Sequence, residues 1–145
     1  MNEKHGVVIV GGGIMGVCAA YYLAGKGRSV VLLDQADIPN QRAASGDHLR
    51  VFRLTYGKDE FYTSMAHKTL PLWLELNTIT GEKLLVQNGV LEFAPKAHGY
   101  EEDCFKVLKD MKIPVRRLEK KEIQRSYPMI NTRAMQYAIL HPDGG

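Results

Sequence analysis

Two short, wholly apolar runs frame the start of the chain: Val7 to Val10, and Val30 to Leu33 after an interval long enough for one helix. Uniform, β-branched runs of this length predict strands buried on both faces of a parallel sheet. Between them, "GGGIMGVCAAYYLAGKG" passes from three glycines into a helical pattern. Ala19, Ala20 and Leu23 form its sheet-facing side, and Gly27 is its stop signal. A right-handed crossover then lays the second strand, Ser29 to Leu33, beside the first. Residues 35–58 read as irregular chain, punctuated by Pro39, Asn40, Ser45, Gly46 and Gly57. Asp59 is the predicted N-cap of a helix running from Glu60 to about Ile79. Phe61, Met65, Leu72, Trp73 and Leu76 form its expected core stripe, Pro71 an expected kink and Gly81 its end.

Beyond residue 86 the pattern changes. An Asn88-Gly89 turn precedes a half-buried strand, Val90 to Phe93. A helix follows over 100–111 with Cys104, Phe105, Leu108 and Met111 inward. Val115 to Leu118 reads as a strand, Lys120 to Ser126 as a short helix before Pro128, and Gln136 to Leu140 as a last strand. The α/β opening followed by a mixed α+β pattern predicts two parts, residues 1–85 and 86–145. Neither supplies enough strands for a finished sheet, so the fold is expected to be incomplete.

Charge adds mainly exclusions. Nine of the 19 basic and eight of the 16 acidic side chains lie in residues 1–85, so no basic face is offered to nucleic acid or an anionic membrane. Cys18 and Cys104 are too few and too isolated for a zinc site or a disulfide framework. Both are read as buried small hydrophobes, and no metal site is expected. Four apolar residues before the glycines make neither a membrane span nor a secretion signal. The chain therefore reads as soluble and cytoplasmic.

The chemistry lies in the glycines. Gly11, Gly13 and Gly16 stand in G-x-G-x-x-G spacing at the exit of a strand, and each has its own task. Gly11 permits the tight turn, Gly13 lets the backbone approach a pyrophosphate, and Gly16 lets the helix pack close to the strand. The helix N-terminus supplies free N–H groups and a positive dipole end to the phosphates. Asp34, 18 residues after Gly16, stands where an acid receives ribose hydroxyls and disfavours a 2′-phosphate. This unit is Rossmann-like and leaves FAD and NAD both open. Arg50 and Arg53, three apart, would share a face on a helical turn and could pair with one carboxylate or phosphate. A solvated basic face is the plainer alternative.

The opening unit together with "RVFRLTYG", "EFYTSMAHKTLPLW", "NGVLEFAPK" and "KEIQRSYPMI" resembles the N-terminal part of FAD-dependent amine oxidases of the sarcosine oxidase and N-methyltryptophan oxidase type. The resemblance implies FAD as cofactor and a Rossmann-like FAD-binding unit leading into the start of a substrate domain. It implies oxidation of a secondary or N-methylated amino acid to an imine, with dioxygen as electron acceptor. Gly11, Gly13, Ile14, Met15 and Gly16 would line the pyrophosphate, Asp34 would hold the ribose, and Ser45 would contact the flavin. Arg50 would sit near the flavin ring, and Arg53 would take the substrate carboxylate. Members of that family are longer than 145 residues, so a truncated chain, inactive alone, is expected; a peroxisomal address stays open. The alternatives are a glycine or D-amino-acid oxidase, a dehydrogenase, or a non-catalytic dinucleotide-binding fragment that needs a partner chain.

Overall fold

The computed structural model describes residues 6–40 and 42–145, which fall into two compact units, one up to Arg50 and one from Val51 to Gly145. The units thus meet at 50/51, whereas the sequence pattern changes character at 85/86.

In the first unit, β1 (Val7–Val10) and β2 (Val30–Leu33) pair in parallel, Val7 opposite Val30 through Val10 opposite Leu33. Helix α1 (Ile14–Gly25) joins them. Gly16, Ala20 and Leu23, at i, i+4 and i+7, are its half-buried positions, which is the spacing of a helix face laid on a sheet. Ala19 is exposed, so the sheet-facing side is one residue narrower than expected. Gly27, at φ 73, closes the helix: its N–H reaches the Ala24 carbonyl, and that of Arg28 reaches Leu23.

The expectation of strands buried on both faces fails here. Along β1, Val7 and Ile9 are half-buried while Val8 and Val10 are exposed. Among the described residues one helix lies in this unit, covering one face of the two-stranded sheet and not the other. Cys18 is likewise exposed rather than buried, because it lies on the side of α1 away from the strands. Cys104 is buried as expected.

The second unit holds α2 (Glu60–Thr80), β3 (Val90–Ala94), α3 (Tyr100–Asp110), β4 (Arg116–Glu119), α4 (Lys120–Ser126) and β5 (Tyr137–His141). The side chain of Asp59 caps α2 by accepting from the Tyr62 N–H at 3.2 Å, and Gly81 ends the helix in the left-handed conformation at φ 72. Of the expected core stripe, Leu72, Trp73 and Leu76 are half-buried, but Phe61 and Met65 are exposed. The first turns of α2 bury Thr63 instead.

The sheet of this unit is antiparallel, in the order β3-β5-β4. Strand β5 occupies its centre and is buried along nearly its whole length. Its side chains alternate between two cores. Tyr137 and Ile139 join Leu54, Ala94, Cys104, Leu108, Ile113 and Val115, while Ala138 joins Leu118, Ile123 and Met135. Helix α3 closes the first core through Cys104 and Leu108, with Phe105 and Met111 packed against it. Among the described residues no helix is long and apolar enough to cross a membrane.

Candidate functional site

At the glycine turn, Gly11 and Gly16 have the backbone roles that their spacing predicts. Gly11 takes φ 106, a backbone conformation that L side chains rarely adopt, as the chain leaves β1. At Gly16 a Cβ would lie 1.8 Å from the Gly11 carbonyl oxygen and 3.4 Å from Ile9, so only glycine allows α1 this close to the turn. At Gly13 a Cβ would meet nothing nearer than 3.9 Å, the Cβ of Ala43. Sterics within the chain therefore do not account for that glycine. Gly13 is also the N-cap of α1, with no side-chain cap and no acid in the first turn.

Asp34 stands at the end of β2 and turns back onto the same loop. Its Oδ2 accepts the Gly12 N–H at 2.6 Å; its Oδ1 accepts the Ala36 N–H at 2.9 Å and the Asn40 amide at 3.3 Å. The Gly12 N–H and then that of Ala36 hold its carboxyl below the usual carboxylate range. The acid is thus fixed as an anion beside the turn and braces it, a task that spacing alone did not assign. Val10, Gly11, Leu33, Asp34 and Gln35 line a groove of about 260 Å³ at the ends of the two strands. A second groove of about 260 Å³ runs over Gly12, Gly13 and Ile14 to Ala43, Ser45 and Gly46. Ser45 is therefore brought to the glycine turn across 32 residues of sequence. Met15 is 82% exposed.

Arg50 and Arg53 do not lie on a helical turn; residues 49–56 are irregular chain. Arg50 ends the first unit, where its guanidinium donates to Asp47 Oδ2 at 2.6 Å and to the Ala44 carbonyl at 2.8 Å. Arg53 belongs to the second unit and has different partners. Its Nη1 donates to the Tyr100 hydroxyl at 2.9 Å, and its Cζ lies 5.2 Å from the centre of the Tyr56 ring. The two arginines therefore have separate surroundings rather than one shared face.

A polar cluster surrounds Arg53. Thr55 donates a short hydrogen bond to Glu92 on β3, and the Tyr100 hydroxyl donates to the Thr55 carbonyl at 2.9 Å. The Gly57 N–H donates to the Cys104 sulfur at 3.1 Å. Burial pushes the Glu92 carboxyl above its ordinary value, against the Thr55 hydroxyl and the Arg53 charge, which both draw it down. Burial likewise raises the Cys104 thiol, against the Gly57 N–H, as for a cysteine packed in the core. Glu92, Tyr100 and Thr55 escaped sequence reasoning because their partners lie 37 and 45 to 47 positions away, beyond any local motif. Among the described residues no group of acids, histidines and cysteines could hold a metal ion.

The family model described as FAD dependent oxidoreductase matches residues 6–145. The chain is similar to the monomeric sarcosine oxidase of Bacillus sp. (strain B-0618), 32% identical over 146 residues, which is all of this chain and 37% of that enzyme. It is also similar to the N-methyl-L-tryptophan oxidase of Yersinia pestis (strain Pestoides F), 26% identical over 97% of this chain and 38% of that protein. Among solved structures, the amino acid oxidase NikD in its open form superimposes with a TM-score of 0.76 at 26% identity, over 99% of this chain and 37% of NikD. The chain thus spans somewhat over a third of the length of the relatives it matches.

Proposed function

Because this chain belongs to the FAD-dependent oxidoreductase family over residues 6–145, we propose that its glycine turn holds the pyrophosphate of FAD and that it serves the oxidation of an N-methylated or other secondary amino acid. The observation that carries the cofactor reading is Gly13, an uncapped helix N-terminus at which the chain's own packing leaves room for a side chain that is not there. Gly11, Gly13, Ile14, Met15 and Gly16 form the phosphate-binding turn, Ser45 extends it, and Asp34 directs its remaining lone pairs to ribose hydroxyls. Both named relatives take their names from N-methylated amino acids, sarcosine and N-methyl-L-tryptophan, and this supports the substrate class.

Arg53 then receives the substrate carboxylate, because a guanidinium pairs with it through two parallel hydrogen bonds and Tyr100 occupies only one of its five N–H donors. Arg50 lies nearer the flavin ring in this reading. FAD held there would supply the two-electron acceptor for this oxidation: the hydride equivalent leaves the substrate carbon and the amine proton passes to solvent as C–N becomes C=N. Dioxygen is the proposed final acceptor.

The test is a visible absorption spectrum of the holoenzyme with calorimetry of FAD and NAD binding. Flavin bands and FAD affinity, weakened by Asp34→Ala through loss of a charge-assisted hydrogen bond to the ribose, are expected. Binding of NAD with FAD excluded would overturn the reading.

A further inference from the structure

Arg53 is exposed, yet its guanidinium is held from two sides. The hydroxyl of Tyr100, the first residue of α3, spends its single proton on the Thr55 carbonyl at 2.9 Å. Its lone pairs are thereby left for Arg53 Nη1, also at 2.9 Å, so the two bonds are compatible and fix one another's direction. The Tyr56 ring, 5.2 Å from Cζ, holds the guanidinium from another side.

The seat of Tyr100 is itself specified. Gly99, at φ 142, starts α3 in a conformation that a side chain would strain. Gly57 leaves space for the Tyr100 ring, since a Cβ there would come within 3.2 Å of two ring carbons. The Gly57 N–H is anchored on Cys104, one turn further along α3 on the same face as Tyr100. Ring, hydroxyl and acceptor are thus all fixed before any ligand is present.

We propose that Tyr100 is a positioning residue for substrate binding: it holds the Arg53 guanidinium in place in advance, so that an incoming carboxylate does not have to order a long, mobile side chain. The inference rests on Arg53 as the carboxylate partner. Tyr100 touches the arginine and not the substrate, so its effect falls on binding and not on the chemical step.

The experiment compares Tyr100→Phe with Arg53→Lys in the FAD-loaded holoenzyme, with sarcosine as substrate and acetate as a competing carboxylate. Tyr100→Phe keeps the ring in its seat and removes only the hydroxyl. It is expected to raise KM for sarcosine and the acetate inhibition constant in parallel, by about five- to tenfold, with kcat and flavin content unchanged and the melting temperature only modestly lowered, because the Thr55 carbonyl loses its donor. If Arg53→Lys raises both constants and Tyr100→Phe raises neither, Arg53 keeps its role and the positioning inference is wrong. If Arg53→Lys leaves both constants unchanged, the carboxylate reading fails and the positioning role falls with it. A drop in kcat alone for Tyr100→Phe would also overturn the inference, since it would put the hydroxyl in the chemical step.

Discussion

His141 shows how one residue ties the second unit to pH. It ends β5 opposite Val90, is fully buried, and neither ring nitrogen has a hydrogen-bond partner among the described residues. Burial pushes its pKa below the ordinary 6.5; the Arg53 charge pushes the same way, and Asp143 pulls it back. The folded ring therefore stays neutral in a range where the unfolded chain is protonated. Below about pH 6.5 the unfolded state binds more protons, so stability falls with pH until the folded pKa is reached; above about pH 7 the effect vanishes. The slope can reach about 1.4 kcal/mol per pH unit for one such group. Thermal melts between pH 7.5 and pH 5 should show this loss, and His141→Leu, which cannot take up a proton, should flatten it. Equal slopes for the two proteins would mean that His141 is protonated without cost in the folded state.

Elements were far more legible in the sequence than surroundings were. The strands and helices emerge within a residue or two of their expected limits because each rests on a local period and a local stop: Gly27 after α1, Asp59 before α2, Gly81 after it. The glycine turn was legible for the same reason, since Gly11 and Gly16 shape the passage from β1 to α1 within six residues. What stayed hidden depends on distant partners. Phe61 and Met65 have the spacing of a core stripe, but among the described residues no element covers the first turns of α2 on that side, and spacing carries no record of that. Arg53 had a visible charge and invisible neighbours, because Tyr100 reaches it from α3. At this scale the turn makes a paired prediction. Gly16→Ala should destabilise the first unit by about 1–3 kcal/mol or more, because its methyl would run into the Gly11 carbonyl and push α1 off β1. Gly13→Ala meets only an ordinary contact with Ala43, so it should leave the melting temperature nearly unchanged while weakening FAD binding. Equal stability loss in both variants would show that Gly13 is structural after all.

For the whole molecule, the open face of the first unit has consequences in solution. Val8 is 56%, Val10 84% and Leu33 51% exposed, and Val10 lies opposite Leu33 in the register. Contiguous apolar surface on a short sheet with unpaired edges favours association. Sedimentation of residues 1–145 should show assemblies that grow with concentration, and the double variant Val8→Lys with Val10→Lys should shift the population to monomer. A monomer at every concentration in the unmodified chain would contradict this. The second unit carries a different constraint, set by the order in which its strands are made. Strands β3 and β4 leave the ribosome first, yet neither pairs with the other; the slot between them belongs to β5, about twenty residues later in synthesis than β4. Until that segment emerges, two strand edges face each other across a gap that nothing earlier in the chain is built to fill. Until then the first core lacks Tyr137 and Ile139 and the second lacks Ala138, so a chaperone that shields apolar surface would find its work concentrated in that interval.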